Sequence, residues 1–404
     1  MILATQPRVA ICILLFKKHS MVRSTLKKII DSYISFECKL TKKEAHEKKR
    51  VLILRKDTLG DYILFYPSLM AYRKAFQDAE ITLVVTNLFE GLLPLITQFE
   101  NVIWYDAKQF SSNFFYRRNF LRGLKKKGFD VAIQTTYSRE PAGDFMIRIT
   151  EAEERIGVKG DLTASTREEL EENNRIYTQL VTIPDSVVTE LDKNKHIAEA
   201  ITRQHVTITF PTIDSSLFNA DNANTILTNL ELTDRKYVIF FPGSGTTFKI
   251  WPREKFSQIA DYFVEKGITP VLCGSSSERG LIDDIIKNMK KGEYVNISGK
   301  TDLGTMVHLL KSSVFYFGSD NGIMHLAVAV GVPALGILGG GHFRRFFPYG
   351  DMTKNRIIFF EKMKCKNDNW ECSRNLLPDE SAPCIAHISV EHVKREIDSF
   401  LLSL

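Results

Sequence analysis

This sequence lacks the fingerprints by which nucleotide enzymes are most often read. It holds no GxxxxGK[ST] and no GxGxxG, so neither a phosphate-transferring ATPase of the P-loop type nor a dinucleotide oxidoreductase is favoured. No DxD-like pair of acids is placed to hold a metal. Cysteine is scarce, with six in 404 residues and no regular framework, which suggests a reducing compartment. The apolar stretch Val9 to Phe16 (VAICILLF) has eight residues, far short of the roughly 20 that span a bilayer. As a signal-peptide core it is followed by Lys17-Lys18-His19 where a small-residue cleavage site belongs. Repeats and low-complexity tracts are also missing. The positive charge is local: residues 1–50 hold 12 Lys/Arg against 4 Asp/Glu, net +8, and the formal total of +6 leaves −2 for the rest. A basic tail on a near-neutral body does not argue for nucleic-acid binding.

What is present is an ordinary globular composition, 44% apolar and 25% charged, in a chain long enough for two or three domains with real cores. From Met21, an alternative translation start, MVRSTLKKIIDSYISF sets Val22, Leu26, Ile29, Ile30, Tyr33 and Phe36 at spacings of three and four, with Arg23, Lys27 and Lys28 off that stripe. This is a basic amphipathic helix that either lies on an anionic membrane face or packs on its own domain. Lys39 to Arg50 reads as a solvated, charged linker.

Strands and helices then alternate. RVLIL (50–54), ITLVV (81–85), VIWY (102–105) and VAIQT (131–135) are strand-like, and helices are expected from Asp61 to about Phe76 and from Phe114 to Lys127. That pace signals a doubly wound α/β unit. Residues 150–232 are weaker in pattern, apart from an acidic helix at Arg167 to Asn174, and a polar run near 213–234 is the expected boundary. A second series follows with YVIFF (237–241), a helix from Pro252 to Lys266, strands at 269–273 and 295–297, a helix at Leu303 to Ser312, and FGSDNGIMHLAVAVGVPALGILG (317–339), a strand–turn–helix–strand unit. Arg356 to Phe360 and a closing helix at Val390 to Leu402 complete the chain. The expected organisation is a basic extension at 1–49, one Rossmann-like domain at 50–225, a second at 226–388 and a C-terminal helix at 389–404.

Three turns of the second half fall at strand carboxyl ends, where such sheets bind ligands. PGSGTTFK offers Gly243, Ser244, Gly245, Thr246 and Lys249; GSSSE offers Glu278; SDNG offers Asp320, Asn321 and Gly322. Glycine N–H groups approach phosphate closely, a lysine neutralises it, and a carboxylate accepts from a ribose hydroxyl. Helix N-termini favour anions, so a diphosphate suits SDNG, although Asp320 and Asn321 could equally just cap the helix. Asp61 stands at a helix start, where an acid is also common for structural reasons, and His325 reads as a ligand contact or a packed first-turn residue. Cys365, Cys372, Cys384 and His387 could ligate zinc, but their spacing is not C-x-x-C.

Together, LRKDTLGDYILFYPSL, FPGSGTTFKIWPREKF and SDNGIMHLAVAVGVPALGILGG resemble glycosyltransferase family 9, the lipopolysaccharide heptosyltransferases and their relatives, over roughly residues 50–395. The resemblance implies a GT-B fold, two Rossmann-like domains facing across a cleft, with the donor nucleotide on the C-terminal domain and a final helix that crosses back to the N-terminal one. It matches Asp61 to the general base, Lys249 to a contact with the donor phosphates, Asp320, Asn321, Gly322 and His325 to the D-x-G-x-x-H donor segment, and Glu278, more loosely, to a nucleoside contact. Asn321 departs from the family's usual threonine, which puts the hydroxyl role in doubt. The implied activity is inverting, metal-independent sugar transfer, with heptose from ADP-heptose passing to a lipid-linked saccharide acceptor at the cytoplasmic face of the membrane. Alternatives are a GT-B enzyme using another nucleotide sugar and a catalytically silent nucleotide-binding scaffold.

Overall fold

The computed structural model describes residues 28–207, 210–233 and 236–404. The Val9–Phe16 stretch and the Met21–Lys27 end of the amphipathic segment lie outside these residues. The chain forms two six-stranded sheets. In the first are β1 (Arg50–Arg55), β2 (Glu80–Thr86), β3 (Asn101–Tyr105), β4 (Val131–Gln134), β5 (Glu154–Val158) and β6 (Gln179–Val181). In the second are β7 (Tyr237–Phe241), β8 (Thr269–Leu272), β9 (Val295–Asn296), β10 (Phe315–Ser319), β11 (Ala334–Ile337) and β12 (Asn355–Ile358). Their orders are β3-β2-β1-β4-β5-β6 and β12-β11-β10-β7-β8-β9, and each pairing is parallel. This is the doubly wound order in both halves, and it puts a topological switch point between β1 and β4 and another between β7 and β10. Strands buried on both faces require continuous apolar sequence, and YVIFF of β7 is buried at all five positions.

The two halves share one core. Val51 and Ile53 of β1 and Ile239 and Tyr316 of the second sheet belong to a single cluster of buried residues. The helices Leu59–Ala75 and Gly322–Ala329 lie between the sheets and touch. At their N-termini a Cβ on Gly60 would stand 2.7 Å from His325 Cδ2, and one on Gly322 would stand 2.6 Å from Leu59 Cβ. Glycine at both positions is what lets the backbones come this close.

Two expectations are corrected by the packing. The closing helix, Val390–Leu401, buries Val390, Val393, Ile397 and Phe400 in the core of the second half. It ties itself to the helix Arg253–Glu265 through Tyr262 Oη donating to Asp398 at 2.7 Å, so it packs on the C-terminal sheet instead of crossing back. The quiet region 150–232 holds β5, β6 and the helix Glu190–Thr202, capped by Thr189. The helix at residues 28–40 rests on the first half through Ile30, Ile34 and Cys38, with Arg118 donating to Glu37 and Arg117 paired with Asp31. Ile29, Tyr33, Phe36 and Leu40 remain exposed on it. The expected stripe therefore divides, because Ile30 faces the core and its neighbours do not.

Candidate active site

The first switch point is built from the end of β1. Arg55 is 1% exposed and anchors the turn: Nη1 donates to Thr135 O and Asn194 Oδ1 at 3.0 Å, Nε meets Asp57 Oδ2 at 2.8 Å, and Nη2 donates to Asp61 O at 3.3 Å. Thr58 precedes the helix but does not cap it. Its hydroxyl instead donates to Asp61 Oδ2 at 2.6 Å. Asp61 keeps partial contact with solvent while protein crowds around it. Burial raises its pKa most, and the Glu190 carboxylate raises it further. Arg55, the Thr58 hydrogen bond and Arg345 pull the other way, and the net direction is up. Asp57, at the same turn, is raised chiefly by burial against the pull of Arg55.

The second switch point joins two of the expected turns. Asn321 caps the helix Gly322–Ala329, its Oδ1 accepting from Ile323 N at 2.9 Å and Met324 N at 3.2 Å. Its Nδ2 donates to Gly243 O at 2.8 Å and Tyr316 Oη at 2.9 Å, while Ser244 Oγ donates to Asp320 O at 3.0 Å. Two N–H groups that the sequence offers to an anion are thus already satisfied, and an asparagine here performs a bridging task that threonine is too short and lacks the donors to do. Lys249, in the short turn Thr247–Lys249, places Nζ 3.9 Å from Asp320 Oδ2 and 5.3 Å from the centre of the Trp370 ring. Glu278 accepts from Ser275 N and Oγ at 2.7 Å, and its other oxygen lies where a Cβ on Gly243 would stand. Gly245 faces open space, and Thr246 contributes its carbonyl to Lys249 N at 3.1 Å.

His325 is 3% exposed, stacked on Tyr349 with Nδ1 3.1 Å from its hydroxyl, and Nε2 is 4.0 Å from Asp320 Oδ1. Burial lowers its pKa to about 4, so it is neutral at physiological pH. Among the described residues no group of three or more His, Cys, Asp or Glu is placed to hold a metal ion. Cys384 Sγ instead accepts from Gly340 N at 3.3 Å.

The fold thus brings Gly243, Ser244, Lys249, Glu278, Asp320, Asn321, Gly322 and His325 to one place, and the Gly60–His325 contact sets Asp61 opposite them. Sequence reasoning missed Arg55, Asp57, Glu190 and Arg345. An arginine ending a buried strand was a usable signal for the first, while Glu190 lies in the weakly patterned region and gave none.

Two Rossmann-like halves with charged turns at facing switch points define a GT-B protein. The chain belongs to glycosyltransferase family 9 (heptosyltransferase), whose model matches residues 117–374. It is 28% identical over 138 residues to lipopolysaccharide heptosyltransferase 3 of Escherichia coli, 33% of this chain but only 39% of that relative's length. It is 22% identical to lipooligosaccharide heptosyltransferase 2 of Haemophilus influenzae over 80% of this chain and 92% of the relative. The structure of E. coli ADP-heptose lps heptosyltransferase II superposes with a TM-score of 0.64 at 16% identity, over 87% of this chain and 98% of that one.

Proposed function

We propose that the chain is an inverting glycosyltransferase that moves heptose from ADP-heptose to a lipopolysaccharide core or related lipid-linked saccharide. Asp61 is the base, and Lys249 with the Gly243–Thr246 and Asp320–His325 turns holds the donor. The observation that carries the reading is that Gly60 and His325 abut, which sets a carboxylate of raised proton affinity against a cationic, glycine-lined turn across one cleft. Asp61 takes the proton of the acceptor hydroxyl, whose oxygen attacks C1 from the face opposite the diphosphate. The C1–O bond breaks, its electron pair goes to the departing phosphate oxygen, and the charge grows beside Lys249. Glu278 is assigned to the nucleoside and His325, neutral, to hydrogen bonding. The name of the E. coli structure supports ADP-heptose as donor, and that of the H. influenzae relative supports heptose as the sugar. The test is release of ADP from ADP-heptose with a heptose-acceptor glycolipid, beside UDP-, GDP- and CMP-sugars. A stronger response to one of the others selects a different donor, and turnover of none leaves a silent scaffold.

We assign no metal to the step, because Lys249 can carry the phosphate charge. EDTA is expected to leave turnover unchanged; activity lost to EDTA and restored by a divalent ion would overturn this.

Residues 50–225 form the acceptor-side domain in this proposal, 226–388 the donor-side domain and 389–404 the final helix, and the segment before residue 50 is a peripheral anchor on the cytoplasmic leaflet. No helix among the described residues is long and apolar enough to cross a membrane. The helix at 28–40 nonetheless exposes Ile29, Tyr33, Phe36 and Leu40 beside Lys28 and Lys39, with Phe115, 70% exposed, close by through the Tyr33–Phe114 and Phe114–Phe115 ring contacts. Apolar side chains flanked by lysines suit an anionic interface. Changing Ile29, Tyr33, Phe36 and Leu40 to serine is expected to keep nucleotide binding and to lose most co-sedimentation with anionic vesicles. Wild-type binding should also fall with salt. Equal partitioning of variant and wild type at low salt would remove this face from the contact. Truncation at Arg50 is a poorer probe, since it strips Ile34 and Cys38 from the core.

A further inference from the structure

Arg345 follows β11, so its main chain belongs to the donor half, but its side chain ends in the other one. Nε meets Glu190 Oε2 at 3.1 Å, Nη1 meets Asp161 Oδ2 at 3.3 Å, and Nη2 donates to Ser138 Oγ at 3.0 Å. The grip is returned by the backbone, where Glu190 N donates to Arg345 O at 2.8 Å. Arg345 is 9% and Glu190 2% exposed. Ser138, Asp161 and Glu190 all lie beyond carboxyl ends of the first sheet, beside the turn that carries Asp61. Glu190 is also 3.9 Å from Arg55, so it stands between two guanidinium groups. A planar fork with several donors suits this three-way grip as a lysine would not.

We propose that Arg345 is a positioning residue for sugar transfer, a clasp that leaves the donor half, closes on Glu190, Asp161 and Ser138 of the acceptor half, and in closing supplies one of the two guanidinium groups that balance the carboxylates around Asp61. The proposal rests on Asp61 being the base. The groups facing Asp61 are Thr58 on its own turn, Arg55 and Asp57 from the end of β1, Glu190 from the helix Glu190–Thr202, and Arg345; the His325 ring across the cleft is neutral. With the clasp shut, Glu190 is neutralised from both sides. With it open, Arg55 is the one guanidinium left among Asp57, Asp61 and Glu190, with Lys56 acting on Asp57 and Lys193 on Glu190. The like charges then hold a proton more tightly, so the acid limb of the base lies at higher pH in the open enzyme than in the closed one. Closure and readiness of the base become one event.

The experiment follows the Asp61 carboxyl by 13C NMR titration, and the acid limb of kcat, in the full-length wild type, Arg345→Gln, Arg345→Lys and Glu190→Gln. Arg345→Gln should move the midpoint up by about one pH unit, and Glu190→Gln should move it down. Arg345→Lys keeps the charge and loses the fork, so the midpoint should stay near wild type while KM rises. A merely structural latch would weaken all three variants without opposite displacements. Unchanged midpoints, or displacement of both glutamine variants in one direction, would overturn the proposal. Glu190→Gln is isosteric and decides the matter even if Arg345→Gln fails to fold. If the NMR midpoints move as stated while the wild type turns over no heptose donor, the sugar-transfer reading falls and the coupling of Arg345 and Glu190 to the Asp61 carboxyl stands.

Discussion

Asp61→Asn is expected to remove transfer almost completely while leaving nucleotide affinity close to wild type. The substitution keeps shape and can retain the partnership with Thr58, but an amide cannot take a proton from an acceptor hydroxyl. A positioned base contributes roughly 10²–10⁴-fold, and the loss should fall on kcat because the turns proposed to hold ADP lie in the opposite half. The pH dependence has a definite sign. The carboxyl pKa is raised by burial and by Glu190, and below that pKa the group is protonated and cannot act as base. Turnover in the wild type should therefore rise with pH along an acid limb lying above the ordinary carboxylate range near about 4, and Asp61→Asn should lack that limb. A variant that kept more than roughly a tenth of wild-type turnover would remove Asp61 from the role.

Lys249→Ala is expected to damage both binding and chemistry. Lys249 is the cation beside Asp320 at the donor turns, 3.9 Å away and partly exposed, so its loss should cost little stability. The diphosphate loses a charge-assisted partner, and ADP affinity should drop about tenfold or more. Negative charge increases as the C1–O bond breaks, so the transition state should lose more than the ground state, and kcat should fall by roughly 10²–10³-fold. Calorimetry with ADP and single-turnover kinetics separate the two effects. Unchanged affinity together with an unchanged rate would sink the assignment.

Much of the scaffold was readable from local pattern. YVIFF is β7 at the expected bounds, and the helices at Phe114–Lys127 and Arg167–Asn174 appear as the sequence indicates, because continuous apolar runs and capped, charged segments are short-range signals. The weak stretch 150–232 concealed β5, β6 and the helix that carries Glu190. β6 has three residues, one of them fully buried, which leaves too few apolar positions to stand out.

The candidate site divides in the same way. Asp61, Lys249, Glu278 and Asp320 could be named because each sits in or beside a turn that ends a strand, where the chemistry follows from a few consecutive residues. By itself the sequence determined the two α/β series, the turns at their strand ends and the residue types those turns present. Only the tertiary structure decided that Asn321 spends its amide on Gly243 and the helix N-terminus, that Gly60 meets His325 across the cleft, and that Arg345 reaches Glu190, Asp161 and Ser138 over 155, 184 and 207 residues of chain. The physical reason is distance along the chain. Hydrogen-bond caps and apolar periodicity are set by neighbours a few positions apart, whereas an ion pair between halves exists only after two switch points have been brought face to face.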